Sequence, residues 1–443
     1  MKPSPYNHFF QVKNGRVVLA YNSYSGALAE IEKENFPRVQ ELLARPSRAA
    51  STQDHEFLKC LKDGRFLIPD AVDQTATLKV QSRAGRLEGK VLTLTIAPSL
   101  ACNFDCHYCF ESHSNIRMSE ETQEALLRFC DHHLIRSGAL RVCWFGGEPT
   151  LCYSVIERVQ SHLLEIAERR HTKIVPCTII SNGYLLDEPM ARRLKDLQII
   201  RAQITIDGPQ AVHDSRRKLR NGKGSFDRII ENLSSTADIL NINVRINVDK
   251  DNVDSAYEVM DILRQRKILD KVVVSFAQVR SSGTTCSDIR DRCYDHKEFA
   301  RTLVQIHDRL LHQNINRIDY PRPLGGACCG ALAEGYYVVS PTGHLFRCWE
   351  ELSMDAKKSV GDLFSAQPQD YQRENLKAYH SWDPFALAGC KSCSILPVCM
   401  GGCPLSGMEK GKAASGTCSS WKYNLKDLLE LAYSAAAQPA TEK

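Results

Sequence analysis

Val91-Leu92-Thr93-Leu94-Thr95-Ile96, followed shortly by Cys102-Asn103-Phe104-Asp105-Cys106-His107-Tyr108-Cys109, is the stretch that decides the architecture. The first part is a short apolar, β-branched run, which predicts a buried strand. The second is a C-x3-C-x2-C loop directly after it. Similar apolar runs recur at 141–145, 174–180, 199–206, 242–248 and 271–279. Helical patterns lie between them, such as Glu120 to Arg136 and Leu151 to Arg169. Six runs separated by helices predict βα units closing on a parallel sheet. Six units are fewer than the eight of a complete barrel. The expected fold class is therefore α/β, a partial (β/α)6 TIM barrel, with the cysteine loop at the carboxyl end of its first strand. Active sites of barrels are built on that face.

The flanks read differently. Residues 1–85 look like a small separate unit. Arg16 to Tyr21 is strand-like after the hairpin signal Asn14-Gly15, Ala27 to Ile31 and Phe36 to Leu43 suggest helices, and His55 to Lys62 suggests another, stopped by Asp63-Gly64. Phe66 to Ile68 resumes strand character, and Arg83 to Arg86 reads as a linker. A hairpin with a few helices resembles a winged helix. Beyond about 325, Gly, Pro and Cys become common, with one hairpin at Tyr336 to Phe346 turned by Pro341-Thr342-Gly343. Helix returns near 421–436, and Gln438 to Lys443 reads as a frayed tail. The expected domains are 1–85, a core over 86–325, and a cysteine-rich extension over 326–443.

Composition narrows the function. The 443 residues are 43% hydrophobic and 25% charged, as expected of a soluble globular protein. No apolar run approaches a membrane span. A net charge of +5 is too mild to argue for nucleic acid or a membrane surface. The start, Met1 to His8, has no apolar core of a signal peptide, so a cytoplasmic location is expected. Thiols stay reduced there, and the 18 cysteines read as metal ligands or catalytic groups rather than disulfides. Three cluster at 102, 106 and 109, and eight lie between 328 and 418. Cys130, Cys143, Cys152, Cys177 and Cys60 read as small buried hydrophobes, and Cys286 and Cys293 as loop residues near the sixth strand.

Three thiolates can hold three irons of a four-iron cluster and leave the fourth open; a zinc site or plain buried thiols are the alternatives. Here the residues resemble the radical S-adenosylmethionine (SAM) superfamily, in which an aromatic precedes the last cysteine, as Tyr108 does. The resemblance implies a cluster whose open iron chelates SAM. One electron then cleaves the sulfonium, and the resulting 5′-deoxyadenosyl radical abstracts hydrogen from a C–H bond. Gly146-Gly147-Glu148-Pro149, ending the second strand, resembles the motif for the SAM amino group. Ser181-Asn182-Gly183, ending the third, resembles the ribose-binding segment. Arg245 could pair with the SAM carboxylate. Asp207-Gly208-Pro209, with His213, Asp214 and Arg217 beyond, resembles a segment of the peptide-modifying branch, where Asp207 positions substrate or SAM or simply caps a turn.

The later cysteines resemble the SPASM extension of radical SAM enzymes that modify peptides and proteins. The resemblance implies two auxiliary [4Fe–4S] clusters, making three in all: an inner one on Cys329, Cys348 and Cys403, and an outer one on Cys390, Cys393, Cys399 and Cys418. Cys328 is adjacent to Cys329, and the inner cluster is expected to keep an iron open to substrate. The segments Asn22 to Gly26 and Gly64 to Asp70 resemble leader-recognition elements of maturases for ribosomally made peptides. The implied function is a peptide maturase that cross-links side chains as a thioether or a carbon–carbon bond. Its partners would be a precursor peptide with a leader and a reducing donor such as flavodoxin or ferredoxin. Two alternatives remain: an anaerobic sulfatase maturase making formylglycine, and a non-enzymatic iron–sulfur protein. Sulfatase maturases place a catalytic Asp after the cysteine equivalent to Cys348. Here Trp349 stands there, with Glu350 and Glu351 following, so Glu350 is the candidate general base.

Overall fold

The first residues form strands before they turn helical. The computed structural model describes every residue except 13–14, 135–137, 282–286, 316–317, 319, 327–328, 366, 410–417 and 438–443. Strands β1 (Lys2–Pro3), β2 (Asn7–Gln11), β3 (Val17–Asn22) and β4 (Leu28–Glu32) come first. β2, β3 and β4 form an antiparallel sheet in that order, with Tyr21 opposite Leu28. The helix expected over Ala27 to Ile31 is instead β4. Ala27, Ala29 and Ile31 pack on a core with Leu42, Leu43 and Leu58, whereas Leu28 packs on another with Leu19 and Tyr21. Only a period of two sends neighbours to opposite faces in this way. Asn14 of the hairpin signal lies outside the described residues.

Helix α1 (Phe36–Ala44) leads to α2 (Thr52–Asp63), which opens on a capping box between Ser51 and Asp54. Strand β5 (Leu67–Ile68) pairs with β1, and α3 (Gln74–Leu87) follows. The linker expected at Arg83 to Arg86 is the last turn of α3. Gln74, Leu78 and Ser82 are its buried residues, spaced at four, and this stripe carries the helix through the polar segment.

All six expected strands of the core are present. They run β6 (Val91–Ile96), α4 (Glu120–Leu134), β7 (Ala139–Trp144), α5 (Tyr153–Arg169), β8 (Lys173–Ile174) and β9 (Cys177–Ser181). Then come α6 (Glu188–Asp196), β10 (Ile199–Thr205), α7 (Gln210–Arg216), α8 (Phe226–Thr236), β11 (Asn241–Val248), α9 (Val253–Ala256), α10 (Glu258–Gln265) and β12 (Val273–Gln278). The order β12-β11-β10-β9-β7-β6 is parallel throughout. Pro176, which has no N–H for the ladder, lies between β8 and β9. On β11, Ile242, Val244, Ile246 and Val248 are buried, while Asn243, Arg245 and Asn247 occupy the opposite, half-buried face.

The remaining elements are α11 (His296–His312), β13 (Tyr336–Val339), β14 (His344–Phe346), β15 (Gly361–Asp362), α12 (Asp370–His380), α13 (Ala388–Lys391), α14 (Leu396–Cys399), α15 (Pro404–Glu409) and α16 (Trp421–Ala437). The expected hairpin is β13–β14, and it extends the core sheet: β13 lies parallel beside β6, with Tyr336 opposite Thr93. Among the described residues no helix is long and apolar enough to cross a membrane.

The chain divides into two compact units. One comprises Met1–Leu87, His296–Cys329 and Trp382–Lys443; the other comprises Glu88–Asp295 and Gly330–Ser381. Within the first unit, one core joins Leu19 and Tyr21 of β3 to Ile395 and Val398 near α14 and to Leu425 and Leu429 of α16. The Tyr21 hydroxyl donates to the Pro321 carbonyl at 2.6 Å. Leu19 is 1% exposed. Leu19→Ala is expected to destabilise the protein by about 3 kcal/mol in denaturant titration, from lost transfer energy and the cavity left behind. Because the core is shared, amide exchange should rise along α16 as well as β3. Unchanged exchange in α16 would contradict a common core.

Candidate active site

The loop after β6 carries Cys102, Cys106 and Cys109, all half-buried. It is pinned from below by its own turn and from the side by residues 218–220. The Cys109 N–H donates to the Cys106 carbonyl at 3.1 Å, and the Phe104 N–H to the Cys102 sulfur at 3.4 Å. The Asp105 N–H donates to the Lys218 carbonyl at 2.9 Å, Arg220 N–H to the Asn103 carbonyl at 3.0 Å, and Arg220 Nε to the Cys102 carbonyl at 2.7 Å. Burial raises all three thiols, Cys102 to about 12. The polypeptide by itself therefore favours thiols at neutral pH, and bound metal is what would hold them as thiolates.

The glycine pair Gly146-Gly147 serves this loop directly. A Cβ on Gly146, whose φ is +104°, would meet the Ser99 carbonyl oxygen at 2.4 Å, and one on Gly147 the Ala101 oxygen at 2.4 Å. The end of β7 can therefore lie against the start of the cysteine loop only because both side chains are hydrogen. Glu148, expected to meet an ammonium, is 0% exposed and already matched. Its Oε1 accepts from the Thr150 N–H at 3.0 Å, the Thr150 hydroxyl at 2.5 Å and the Ser181 hydroxyl at 2.9 Å. Its Oε2 accepts from the Asn182 N–H at 2.7 Å. Burial raises its pKa against the pull of these donors. Glu148 thus ties the end of β7 to the end of β9, and Asn182 Nδ2 continues to Asn103 Oδ1 at 2.8 Å.

Tyr108 joins the cysteine loop to β10 and β11. Its hydroxyl donates to Asp207 Oδ2 at 2.5 Å and accepts from Arg217 Nη1 at 2.6 Å and Asn247 Nδ2 at 3.3 Å. Asp207 Oδ1 accepts from the Asn247 N–H at 3.1 Å, and Arg216 Nε reaches Oδ2 at 3.4 Å. Arg216 Nη1 also binds both oxygens of Asp249 at 2.9 Å. Asp207, Asp249 and Arg216 are all nearly fully buried. His213 is neutral, lowered to about 3 by burial first and by Arg217 second, so its Nδ1 can accept the Asp207 N–H at 3.3 Å. Asp207 is therefore held by internal partners on both oxygens.

Arg216 and the burial of Arg217 were not foreseen from the sequence. Two adjacent arginines at the end of a seven-residue helix ordinarily suggest a solvated corner. Arg245 is not a solvated surface group; it lies on the half-buried face of β11, with Nε donating to Asn247 Oδ1 at 2.8 Å. Glu350 sits in the short 3-10 turn Trp349–Glu351 and is ion-paired with Arg280. Glu351 is buried and accepts from the Tyr379 hydroxyl at 2.6 Å.

Among the described residues, two buried polar atoms near the cysteine loop lack hydrogen-bond partners: Arg217 Nε and Glu111 Oε2. Arg217 interacts electrostatically with Cys106, and Glu111 with Cys109 and Glu148. Burial first, and Glu148 second, raise the Glu111 carboxyl to about 8. A donor and an acceptor left unmatched beside three thiols fit a zwitterionic ligand on an iron–sulfur cluster.

In the first unit, Cys390, Cys393, Cys399 and Cys418 line a single cavity with Lys422. Cys329 and Cys403 belong to the first unit and Cys348 to the second. Cys328 and Cys286 lie outside the described residues. Among the described residues no three His, Cys, Asp or Glu side chains converge closely enough for one metal ion. A four-iron cluster spreads its thiolates more widely than one zinc ion does. Cys130, Cys152 and Cys177 are buried as expected and Cys143 is half-buried, but Cys60 is exposed, on the outer face of α2. Cys293 packs beside Tyr108, Phe110, Val279 and Ile289.

The model of the radical SAM superfamily matches residues 96–263. Fe-coproporphyrin III synthase of Methanosarcina barkeri is 28% identical over 170 residues, 38% of this chain and 39% of that protein's length. Mycofactocin maturase MftC of Mycolicibacterium smegmatis is 25% identical over 325 residues, 70% of this chain and 78% of that one. The fold resembles anSMEcpe with bound AdoMet and Cp18Cys peptide, with a TM-score of 0.57 at 19% identity, covering 78% of this chain and 97% of that one. It also resembles Streptococcus suis SuiB bound to the precursor peptide SuiA, with a TM-score of 0.52 at 16% identity, covering 91% and 95%. With the cysteine loop, the glycine pair and the parallel core in place, the chain carries a radical SAM domain over residues 96–263 and is an enzyme.

Proposed function

We propose that this enzyme is a peptide maturase that installs a thioether or carbon–carbon cross-link in a ribosomally synthesised precursor peptide. The observation that carries the reading is an edge strand beside a cysteine-lined cavity. Among the described residues, β4 pairs on one side only, with β3, and leaves its other edge open to an added strand. Strand addition gives affinity through the backbone and leaves the side chains to specify sequence. In the same unit the core under β3 is shared with the segment bearing the four cysteines. The match to a maturase over 78% of its length supports the same class of substrate.

Cys102, Cys106 and Cys109 would hold the SAM cluster, with auxiliary clusters on Cys329, Cys348 and Cys403 and on Cys390, Cys393, Cys399 and Cys418. When bound, the first cluster and SAM supply an electron and a carbon radical able to take hydrogen from the peptide. The chain's own groups position them. We take Arg217, rather than Arg245, as the partner of the SAM carboxylate; its burial beside the loop with Nε unmatched supports this. Glu148 remains the candidate for the ammonium, and Glu111, with Oε2 unmatched, is a second one. Ser181 and Asn182 fix the end of β9, where the ribose is expected. Glu350 is held in an ion pair with Arg280, and Trp349 stands where sulfatase maturases carry an Asp, which disfavours formylglycine formation.

Anaerobically reconstituted enzyme should contain about twelve irons per chain, at four per cluster. The Cys102/Cys106/Cys109→Ala triple variant should keep about eight of them and release no 5′-deoxyadenosine. A variant with full iron and unchanged release would refute the assignment of the first cluster. Arg217→Lys should weaken SAM binding about tenfold, or ~1.4 kcal/mol, from a lost charged hydrogen bond, by equilibrium dialysis. Arg245→Gln should leave SAM binding near wild type. Asp249→Asn should cost about 3 kcal/mol in denaturant midpoint, because it leaves the Arg216 charge buried with less compensation. For the reaction itself, Cys-containing peptides carrying the precursor's leader should lose two hydrogens, with the thiol blocked in a thioether and free in a carbon–carbon link. A free aldehyde would establish the formylglycine reaction instead.

A further inference from the structure

We propose that Lys422 is a tuning group of the outer auxiliary cluster, donating a charged hydrogen bond to Cys418 and holding that cluster's reduction potential above the value four thiolates alone would set. The proposal rests on the reading that Cys390, Cys393, Cys399 and Cys418 bind a four-iron cluster. The four cysteines line one cavity, and among the described residues that line it Lys422 is the only charged one. Its Nζ lies 3.6 Å from the Cys418 sulfur. The rest of the wall is apolar or glycine, including Ile395, Leu396, Gly389 and Gly401.

The ammonium is not carried on a loose segment. Lys422 lies in the first turn of α16, and its N–H donates to the Ser419 carbonyl at 3.1 Å. Leu425 and Leu429 of the same helix are in the buried core shared with β3. Asn424 Nδ2 donates to the Ala300 carbonyl at 3.1 Å. The Cys399 sulfur accepts from the backbone N–H groups of Ser419 and Gly401, so neutral donors already serve this cavity. Lys422 adds a full charge to them.

The direction follows from electrostatics. Reduction adds one negative charge to the cluster, and a cation within hydrogen-bond range stabilises the reduced form more than the oxidised form. In the step measured, the oxidised cluster takes one electron from the titrant; no bond breaks and no proton moves.

The test is a redox titration of reconstituted full-length enzyme, followed by electron paramagnetic resonance. The outer-cluster signal is identified as the one lost in Cys418→Ala. Lys422→Met should lower the reduction equilibrium constant about tenfold, which is roughly 59 mV for one electron. Lys422→Arg, which keeps the charge, should stay within about twofold of wild type. An unshifted Lys422→Met with its signal intact overturns the proposal. So does an equal shift in Lys422→Arg, which would show that side-chain packing and not charge sets the value. Wild-type enzyme with no signal lost in Cys418→Ala would instead refute the cysteine assignment, and the proposal with it.

Discussion

Charge buried at the carboxyl ends of parallel strands must be neutralised before a radical site can be built there. Asp207 and Asp249 end successive strands with almost no exposure, and Arg216 lies between them. Each carboxylate alone in that position would be strongly disfavoured. Together with Arg217 they form a compensated group, and Tyr108 carries its hydrogen bonds into the cysteine loop. The position of the loop is thus set from two sides. The buried ion group holds its middle, and the glycine contacts at Ser99 and Ala101 hold its start. The family chemistry needs an open iron at a fixed place, and these two constraints are what fix it.

Much of this was legible in the sequence, and the failures have physical causes. Long runs of apolar residues separated by helices declared the core, because strands buried on both faces leave little ambiguity. Ala27 to Ile31 misled because alanine and leucine favour helix, while burial on two different faces required a strand. Arg83 to Arg86 misled because charge and glycine suggest a linker, yet the helix anchored by buried Leu78 and Ser82 just before it continues through it. At the site, the sequence showed residue types but not their internal partners. Glu148 reads as a ligand for an ammonium, and its oxygens also tie two strand ends together. Arg217 drew notice only as part of a segment, since nothing in one sequence distinguishes a buried arginine from a solvated one.

The first unit is assembled from three separated stretches of chain. Sequence proximity could not reveal this, since the N-terminal sheet and the cysteine segment stand at opposite ends of the protein. Their common core explains why the antiparallel sheet of β2, β3 and β4 has apolar side chains on both faces. One face serves α1 and α2, and the other serves α14 and α16.

That core also sets a schedule for biosynthesis. Tyr21 finds its partner Pro321 across 300 residues of chain. At about 5–20 residues per second, a ribosome needs roughly 15 to 60 s to make them. Throughout that interval the face of the N-terminal sheet that packs on α14 and α16 waits for those helices to be made. The four cysteines around Lys422 come into one cavity only after the sheet and both helices exist. The half-built sheet before that point is a natural client for a chaperone.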